Sequence, residues 1–124
     1  MKITAIIART LLGLAFVFFG LNGIFMFMKP PPQPSGLAAD FSKALFESHY
    51  LYVIAALQVI GGLLLLIGRF VPLGLLLLGP VIVNILLFHI FLEPKGLPIA
   101  ILVSVLSLIV LWYHRSAFAP LFKA

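Results

Sequence analysis

The sequence predicts an all-α membrane protein, an antiparallel bundle of four transmembrane helices that forms a single domain over residues 1–124. Two observations support this prediction. Apolar residues make up 64% of the chain and charged residues only 9%, whereas soluble domains contain roughly 45–50% and about 25%. The charged residues also separate four long uncharged stretches, each near the ~20 residues that a helix needs to cross the hydrocarbon core. A soluble globular enzyme and a disordered chain are therefore excluded.

Each uncharged stretch is predicted to be a helix, because a backbone in lipid must satisfy its own hydrogen bonds. The first stretch is apolar from Thr10 to Met28, which exceeds the ~7–15 residues of a signal peptide, so we expect an uncleaved helix. The second and third are separated at Gly68–Pro72, where a glycine end signal and a proline start signal flank Arg69. The predicted spans are 5–28, 50–68, 71–92 and 97–114.

The first outer loop, residues 29–49, is predicted to carry a short helix over about 36–47 that lies flat on the membrane surface. It opens with the stiff segment Pro30–Pro34, and Ser35 is the expected helix cap. Lys43 and Glu47 are spaced to form an ion pair. The apolar residues at helical spacing are Leu37, Phe41, Ala44 and Leu45. This helix is either a lid that shields the end of the bundle or a docking element for a partner.

The distribution of charge predicts which side of the membrane each loop occupies. With four spans, both termini and the Arg69 turn share one side, which carries five basic residues and no acid. The other side carries three basic and three acidic residues. Because basic residues accumulate in cytoplasmic loops, both termini are predicted in the cytoplasm. The basic residues form no run, so the expected partner is the lipid bilayer and not a nucleic acid.

Small and polar residues inside the spans are the candidates for helix packing and for a site. Glycines permit close approach of membrane helices; the predicted packing residues are Gly13, Gly20, Gly61 and Gly62. One polar residue of each helix falls at a comparable estimated depth in the outer half, and a histidine lies closer to the outer surface. These residues are Asn22, Gln58, Asn84, Ser104 and His89. They form either an interhelical hydrogen-bond clamp or the floor of a small polar cavity open to the outside.

Other chemistry finds little support in the sequence. The chain has no cysteine, which excludes disulfides and thiolate metal sites, and no metal site, phosphate loop or nucleophile–base pair is apparent. His89 and Glu93 are spaced to pair near the outer surface. Ligation of haem by His49 and His89 is disfavoured, because His49 is expected at or above the headgroups. We therefore expect no catalytic residue, and no cofactor is required.

Three stretches resemble the DoxX-like family of small four-helix membrane proteins. They are Ala8–Leu14 continuing to Phe19–Phe25, Ala55–Gly68, and Pro72–Gly74. The double glycine Gly61-Gly62 is the most specific part, and with the length and span number the similarity covers most of the chain. Members commonly carry Glu where Gln58 stands and often Lys near Gly23, and both departures remove charge from the outer half.

The resemblance implies a bacterial inner-membrane protein. The family's namesake is linked to thiosulfate:quinone oxidoreductase, and other members look like membrane partners of redox or detoxification enzymes. Distant eukaryotic relatives look like assembly chaperones. The chain is therefore expected to be a non-catalytic accessory or anchor subunit of a membrane-associated, quinone-linked oxidoreductase or stress-response complex, with a protein partner or as a homodimer. The alternatives are a small-molecule transporter or ligand-binding bundle that uses the outer-half polar residues, and a haem-binding redox subunit.

Overall fold

The computed structural model describes residues 2–25, 36–92 and 94–122, and every element in these ranges is helical. The α-helices are α1 (Lys2–Phe25), α2 (Leu37–Glu47), α3 (Tyr50–Ile67), α4 (Val71–Phe91), α5 (Leu97–Tyr113) and α6 (Arg115–Phe118). A 3₁₀ turn, Pro94–Gly96, precedes α5, and another, Ala119–Phe122, follows α6.

Four helices of the described part are long and apolar enough to cross a membrane, which confirms the prediction of four spans in an all-helical chain. They are α1, α3, α4 and the segment Pro94–Tyr113, which includes α5. Large apolar side chains such as Val53, Leu63 and Leu102 are exposed on the outside of the bundle. Exposure of these apolar side chains to water would be energetically unfavourable, so the surface of the bundle is suited to lipid.

The helix boundaries lie close to the predicted spans. Helix α1, the first span, begins at Lys2, ahead of the predicted residue 5. Helix α4, the third span, ends at Phe91, where residue 92 was predicted. Residues 26–28, the predicted end of the first span, lie outside the described residues, as do Pro30–Pro34 and Ser35.

The four long helices form a bundle in which α1 packs on α3 and α5, and α4 packs on the same two helices. Glycines bring α1 and α3 into backbone contact: a Cβ added to Gly13 would lie 2.8 Å from the carbonyl oxygen of Gly62, and one at Gly20 would lie 2.8 Å from that of Ala55. Gly61 faces α4, where Leu78 and the backbone of Gly74 lie against it. All four glycines singled out in the sequence thus lie against a neighbouring helix within the same chain.

The core of the bundle consists of aliphatic and aromatic side chains from each of these helices. The largest completely buried side chains are Phe16, Leu12, Leu65, Leu78 and Val110. No polar or charged residue of the described part is fully buried. The bundle interior therefore holds together by close packing, as expected where lipid supplies no water-driven force between helices.

A tight turn joins α3 to α4 at one end of the bundle. Gly68, with φ of 80°, ends α3, and Phe70, with φ of 55°, precedes α4. Arg9 of α1 donates from Nη1 to the carbonyl oxygen of Leu65 at 2.8 Å. This carbonyl belongs to the last turn of α3, where carbonyl groups have no N–H partner within the helix. A cation is also favourable there, at the negative end of the helix dipole. The arginine side chain therefore ties α1 to the end of α3.

The opposite end carries α2, close to the predicted range 36–47. The Lys43 and Glu47 side chains lie 3.9 Å apart and are 70% and 64% exposed, so the predicted ion pair is present but contributes little to stability. The helix begins after Gly36, whose φ is 146°. It packs on α3.

The C-terminal segment after α5 was not predicted. It forms α6 and the 3₁₀ turn Ala119–Phe122, and Phe118 is buried against the bundle. Arg115 donates from Nη1 to the Trp112 carbonyl at 2.8 Å, so a second arginine satisfies the end of a long helix.

Candidate functional site

A cavity of about 680 Å³ lies between α2 and the pair formed by α3 and α4. Its volume is within the range of roughly 300–1,000 Å³ that is typical of small-molecule sites. Most of its wall is apolar, with Ile54 and Leu57 of α3 and Ile85 of α4 among the lining residues. The lining residues with polar side-chain groups are Ser42, Ser48, Tyr50, Gln58, Asn84 and His89.

The roof of the cavity is the apolar side of α2. Phe41, Ala44 and Leu45 line the cavity, and these are three of the four residues in the stripe identified from the sequence. The fourth, Leu37, is 73% exposed and is not among the lining residues. The Phe41 ring lies 5.5 Å from the Phe88 ring, centroid to centroid. This contact joins α2 to α4 across the cavity.

Asn84 is held in place by its own helix. Its Nδ2 donates to the carbonyl oxygen of Pro80 at 2.9 Å, one turn earlier in α4. A carboxamide has two N–H donors and an oxygen acceptor, so this bond leaves one donor and the acceptor for a ligand. Gln58, on α3, offers the same two kinds of group across the cavity.

His89 occupies the end of the cavity nearest the α4–α5 connection. Gly96 lies directly against its imidazole, since a Cβ at that glycine would be only 2.6 Å from Nδ1. The imidazole ring also packs edge-to-face against the Phe88 ring, with the ring centroids 5.2 Å apart. Glu93, the partner expected from the sequence, lies outside the described residues. The imidazole position therefore depends on the absence of a side chain at Gly96.

Two of the predicted polar residues do not line the cavity. Ser104 donates to the Ala100 carbonyl at 2.8 Å, within α5. Asn22 is half-buried on α1, next to Gly23, which faces Ala55 of α3. Of the five residues that the sequence grouped together, the cavity includes Gln58, Asn84 and His89.

The histidine considered for haem ligation lies elsewhere. His49 is exposed at the start of α3 and stacks on Tyr52, with ring centroids 5.7 Å apart. It is not among the residues that line the cavity. Within the described ranges, no group of three or more metal-ligating side chains is assembled.

Sequence comparison identifies the family. The model of the DoxX family matches residues 4–90. The chain belongs to the DoxX family. The match extends from α1 almost to the end of α4 and includes Gln58, Asn84 and His89, whereas Ser104 lies beyond it. No curated protein and no solved structure matches this DoxX protein.

Pro80 and Phe88, one turn before and one turn after the predicted Asn84, are cavity residues of the DoxX protein that were not singled out from the sequence. Pro80, Asn84 and Phe88 follow one another at intervals of four and therefore share a face of α4, and all three line the cavity. That spacing on α4, together with the apolar stripe of α2, is the sequence pattern that indicates a face of α4 covered by α2. Ser42 and Ser48, at the roof, carry no such signal because isolated serines are common in surface helices and turns.

Among the described residues, no Asp, Glu, Lys or Arg lines the cavity. The lining residues therefore provide no carboxylate to accept a proton and no ammonium or guanidinium group to pair with an anion. They do provide amide donors and acceptors and an imidazole on an apolar wall. This combination suits a neutral, largely apolar molecule that carries carbonyl or hydroxyl groups.

Proposed function

We propose that this DoxX-family protein is a non-catalytic membrane subunit that holds a small amphipathic molecule of the quinone class for a membrane-associated oxidoreductase or stress-response complex. The cavity between α2, α3 and α4 is the observation that carries the proposal. Its apolar wall suits the hydrocarbon part of such a molecule, and Gln58, Asn84 and His89 supply the hydrogen-bonding groups for its head.

The amide groups match both redox forms of a quinone. The oxidised form presents carbonyl acceptors, which need N–H donors, whereas the reduced form presents hydroxyl groups, which also donate. A carboxamide satisfies either form because it carries a donor and an acceptor. Quinone and quinol are both neutral molecules, so neither form needs an acidic or basic side chain as a counter-charge, and no Asp, Glu, Lys or Arg of the described residues lines the cavity.

The proposed setting is the bacterial inner membrane, with antiparallel spans, both termini in the cytoplasm and α2 lying at the outer surface. Helix contacts support the direction of the spans, because Gly13 lies opposite Gly62 whereas the later Gly20 lies opposite the earlier Ala55. The accumulation of basic residues on the terminal side supports the orientation. In this arrangement the cavity belongs to the outer half of the bilayer.

Binding of decylubiquinone to the purified protein in lipid nanodiscs tests the site. Asn84→Leu and Gln58→Leu should each weaken binding by about two- to tenfold, since each removes hydrogen bonds worth roughly 0.5–1.5 kcal/mol. Asn22→Leu is the matched control, because it removes an amide from α1 without altering a lining residue of the cavity. Absence of binding to the unsubstituted protein, or an equal loss in the Asn22 variant, would overturn the proposed site.

The accessory role requires a separate measurement. Mild solubilisation of native membranes and purification of the tagged protein should yield one partner protein in stoichiometric amount. If the protein purifies alone from its native membrane but still binds the quinone, the proposed site stands and the proposed accessory role is contradicted.

Transport is the second candidate function, and α4 favours it. Pro80 lies inside this helix and lines the cavity, and a proline removes one backbone hydrogen bond from a helix interior. Such an interruption beside a site is a place where a helix can bend. Ligand uptake into vesicles that contain only this protein would support transport over the accessory role.

A further inference from the structure

A second cavity lies at the other end of the bundle, between α5 and the C-terminal segment of residues 115–122. It has a volume of about 510 Å³, and its walls are almost entirely apolar, with Leu108, Leu111 and Phe118 among the lining residues. Leu121 also lines it, and Phe122 is 87% exposed at its edge. The quinone proposal uses none of these residues.

Arg115 is held at the rim of this second cavity. Its Nη1 donates to the Trp112 carbonyl at 2.8 Å, and its Cζ lies 4.4 Å from the centroid of the Trp112 ring. A guanidinium group has five N–H donors, and this bond uses one of them. The ring contact and the carbonyl bond therefore position a cation that still has donors to offer.

Among the residues that the structure describes, the charged side chains at this end of the bundle are all basic. Arg9 contacts the Gly68 turn, which carries Arg69, and its charge also acts on His114, the residue before Arg115. Arg9, Arg69 and Arg115 therefore lie at the same end of the bundle. The acidic residues of the described part, Asp40 and Glu47, lie on α2 at the opposite end. A negatively charged ligand is therefore favoured here, and its hydrophobic part has an apolar cavity to enter.

We propose that the second cavity binds an anionic phospholipid, with the lipid phosphate on Arg115 and an acyl chain between α5 and α6. An arginine guanidinium binds phosphate oxygens through paired N–H donors. Trp112 beneath it is the residue type found at the membrane interface. The inference requires that the helices lie in a bilayer and is independent of quinone binding.

Trp112 makes the site directly observable, because it is the single tryptophan of the chain. The full-length protein is reconstituted in phosphatidylcholine vesicles that contain a low mole fraction of either brominated phosphatidylglycerol or brominated phosphatidylcholine, and fluorescence quenching is measured. We expect the apparent association constant to be about fivefold higher for the phosphatidylglycerol, and Arg115→Gln to remove that preference. Equal quenching by the two lipids in the unsubstituted protein would overturn the proposal.

Arg69→Gln is the matched control, since it removes the same charge from the α3–α4 turn without altering a residue that lines the cavity. It should keep the preference, and a loss equal to that of Arg115→Gln would overturn the specific site. Arg115→Lys retains the charge and should keep part of the preference even if packing changes. Inorganic phosphate, compared with chloride at equal ionic strength, should leave quenching unchanged; abolition of the preference would assign the site to free phosphate instead.

Discussion

The close contact between α1 and α3 depends on glycine residues, which have no Cβ to separate the two backbones. A Cβ at Gly13 would meet the Gly62 carbonyl oxygen at 2.8 Å, and backbone cannot move away without separating the helices. Gly13→Ala should therefore destabilise the protein by about 1–3 kcal/mol. Thermal unfolding in detergent measures this change as a lower Tm.

Gly79 provides the control for this substitution within the same chain. Nothing lies within 4 Å of a Cβ at this position of α4, and alanine is favoured over glycine in helices by up to about 1 kcal/mol. Gly79→Ala should leave the Tm unchanged or raise it. If the two variants unfold at the same temperature, close approach of α1 and α3 does not stabilise the bundle.

His114, near the C-terminal end of α5, makes the stability of the folded protein dependent on pH. It follows the last residue of α5, outside the span. Burial, and secondarily the nearby Arg9 charge, lower the pKa of its imidazole below 6.5. Because the unfolded chain then binds a proton more readily than the folded protein, stability should rise as the pH increases from the lowered pKa to about 6.5 and then level off.

The measurement is the Tm in detergent across this pH range. His114→Gln should remove part of the rise, and Arg9→Gln should reduce it, because the second cause of the lowered pKa is lost. A pH profile that is the same with and without the histidine would contradict this explanation.

At the scale of elements, α2 packs on α3, and an aromatic contact joins it to α4. The Phe41 ring packs on Phe88 of α4, and such pairs contribute roughly 0.5–1.5 kcal/mol beyond burial. Phe41→Ala should increase hydrogen exchange in residues 37–47 and weaken quinone binding several-fold, while α1, α3 and α4 keep their protection.

Phe46 is the control for α2, because it is 52% exposed on the same helix and does not line the cavity. Phe46→Ala should leave quinone binding unchanged. Equal loss of affinity in both variants would mean that α2 acts through its general hydrophobicity and not as the roof of the cavity.

At the scale of the whole molecule, the four spans could be predicted because charge is costly in lipid and therefore marks the ends of membrane helices. The boundaries followed from local signals: Gly68 ends α3 in the left-handed conformation, and Pro72 lies in the first turn of α4. The segment after residue 114 was missed, because a four-residue helix such as α6 has no periodicity to detect.

The candidate site could be predicted only in part. Sequence position gives the depth of a residue in the membrane, since a helix rises 1.5 Å per residue, but the direction of its side chain depends on how the helix is rotated in the bundle. The predicted outer-half depth of Asn22 and Ser104 rests on sequence position alone, which does not give the direction of either side chain. Ser104 also bonds to its own helix, an option open to any serine in a helix.

Single-cysteine labelling tests most directly the central claim that a quinone-class molecule occupies a cavity reached from the outer side. The chain has no cysteine, so Ser48→Cys, at the cavity, and Ser116→Cys, on α6, each introduce one thiol. In intact cells a membrane-impermeant maleimide should label Ser48→Cys, decylubiquinone should slow that labelling, and Ser116→Cys should react only after the membrane is opened. Labelling of Ser116→Cys in intact cells, or labelling of Ser48→Cys at a rate that the quinone does not change, would contradict the account.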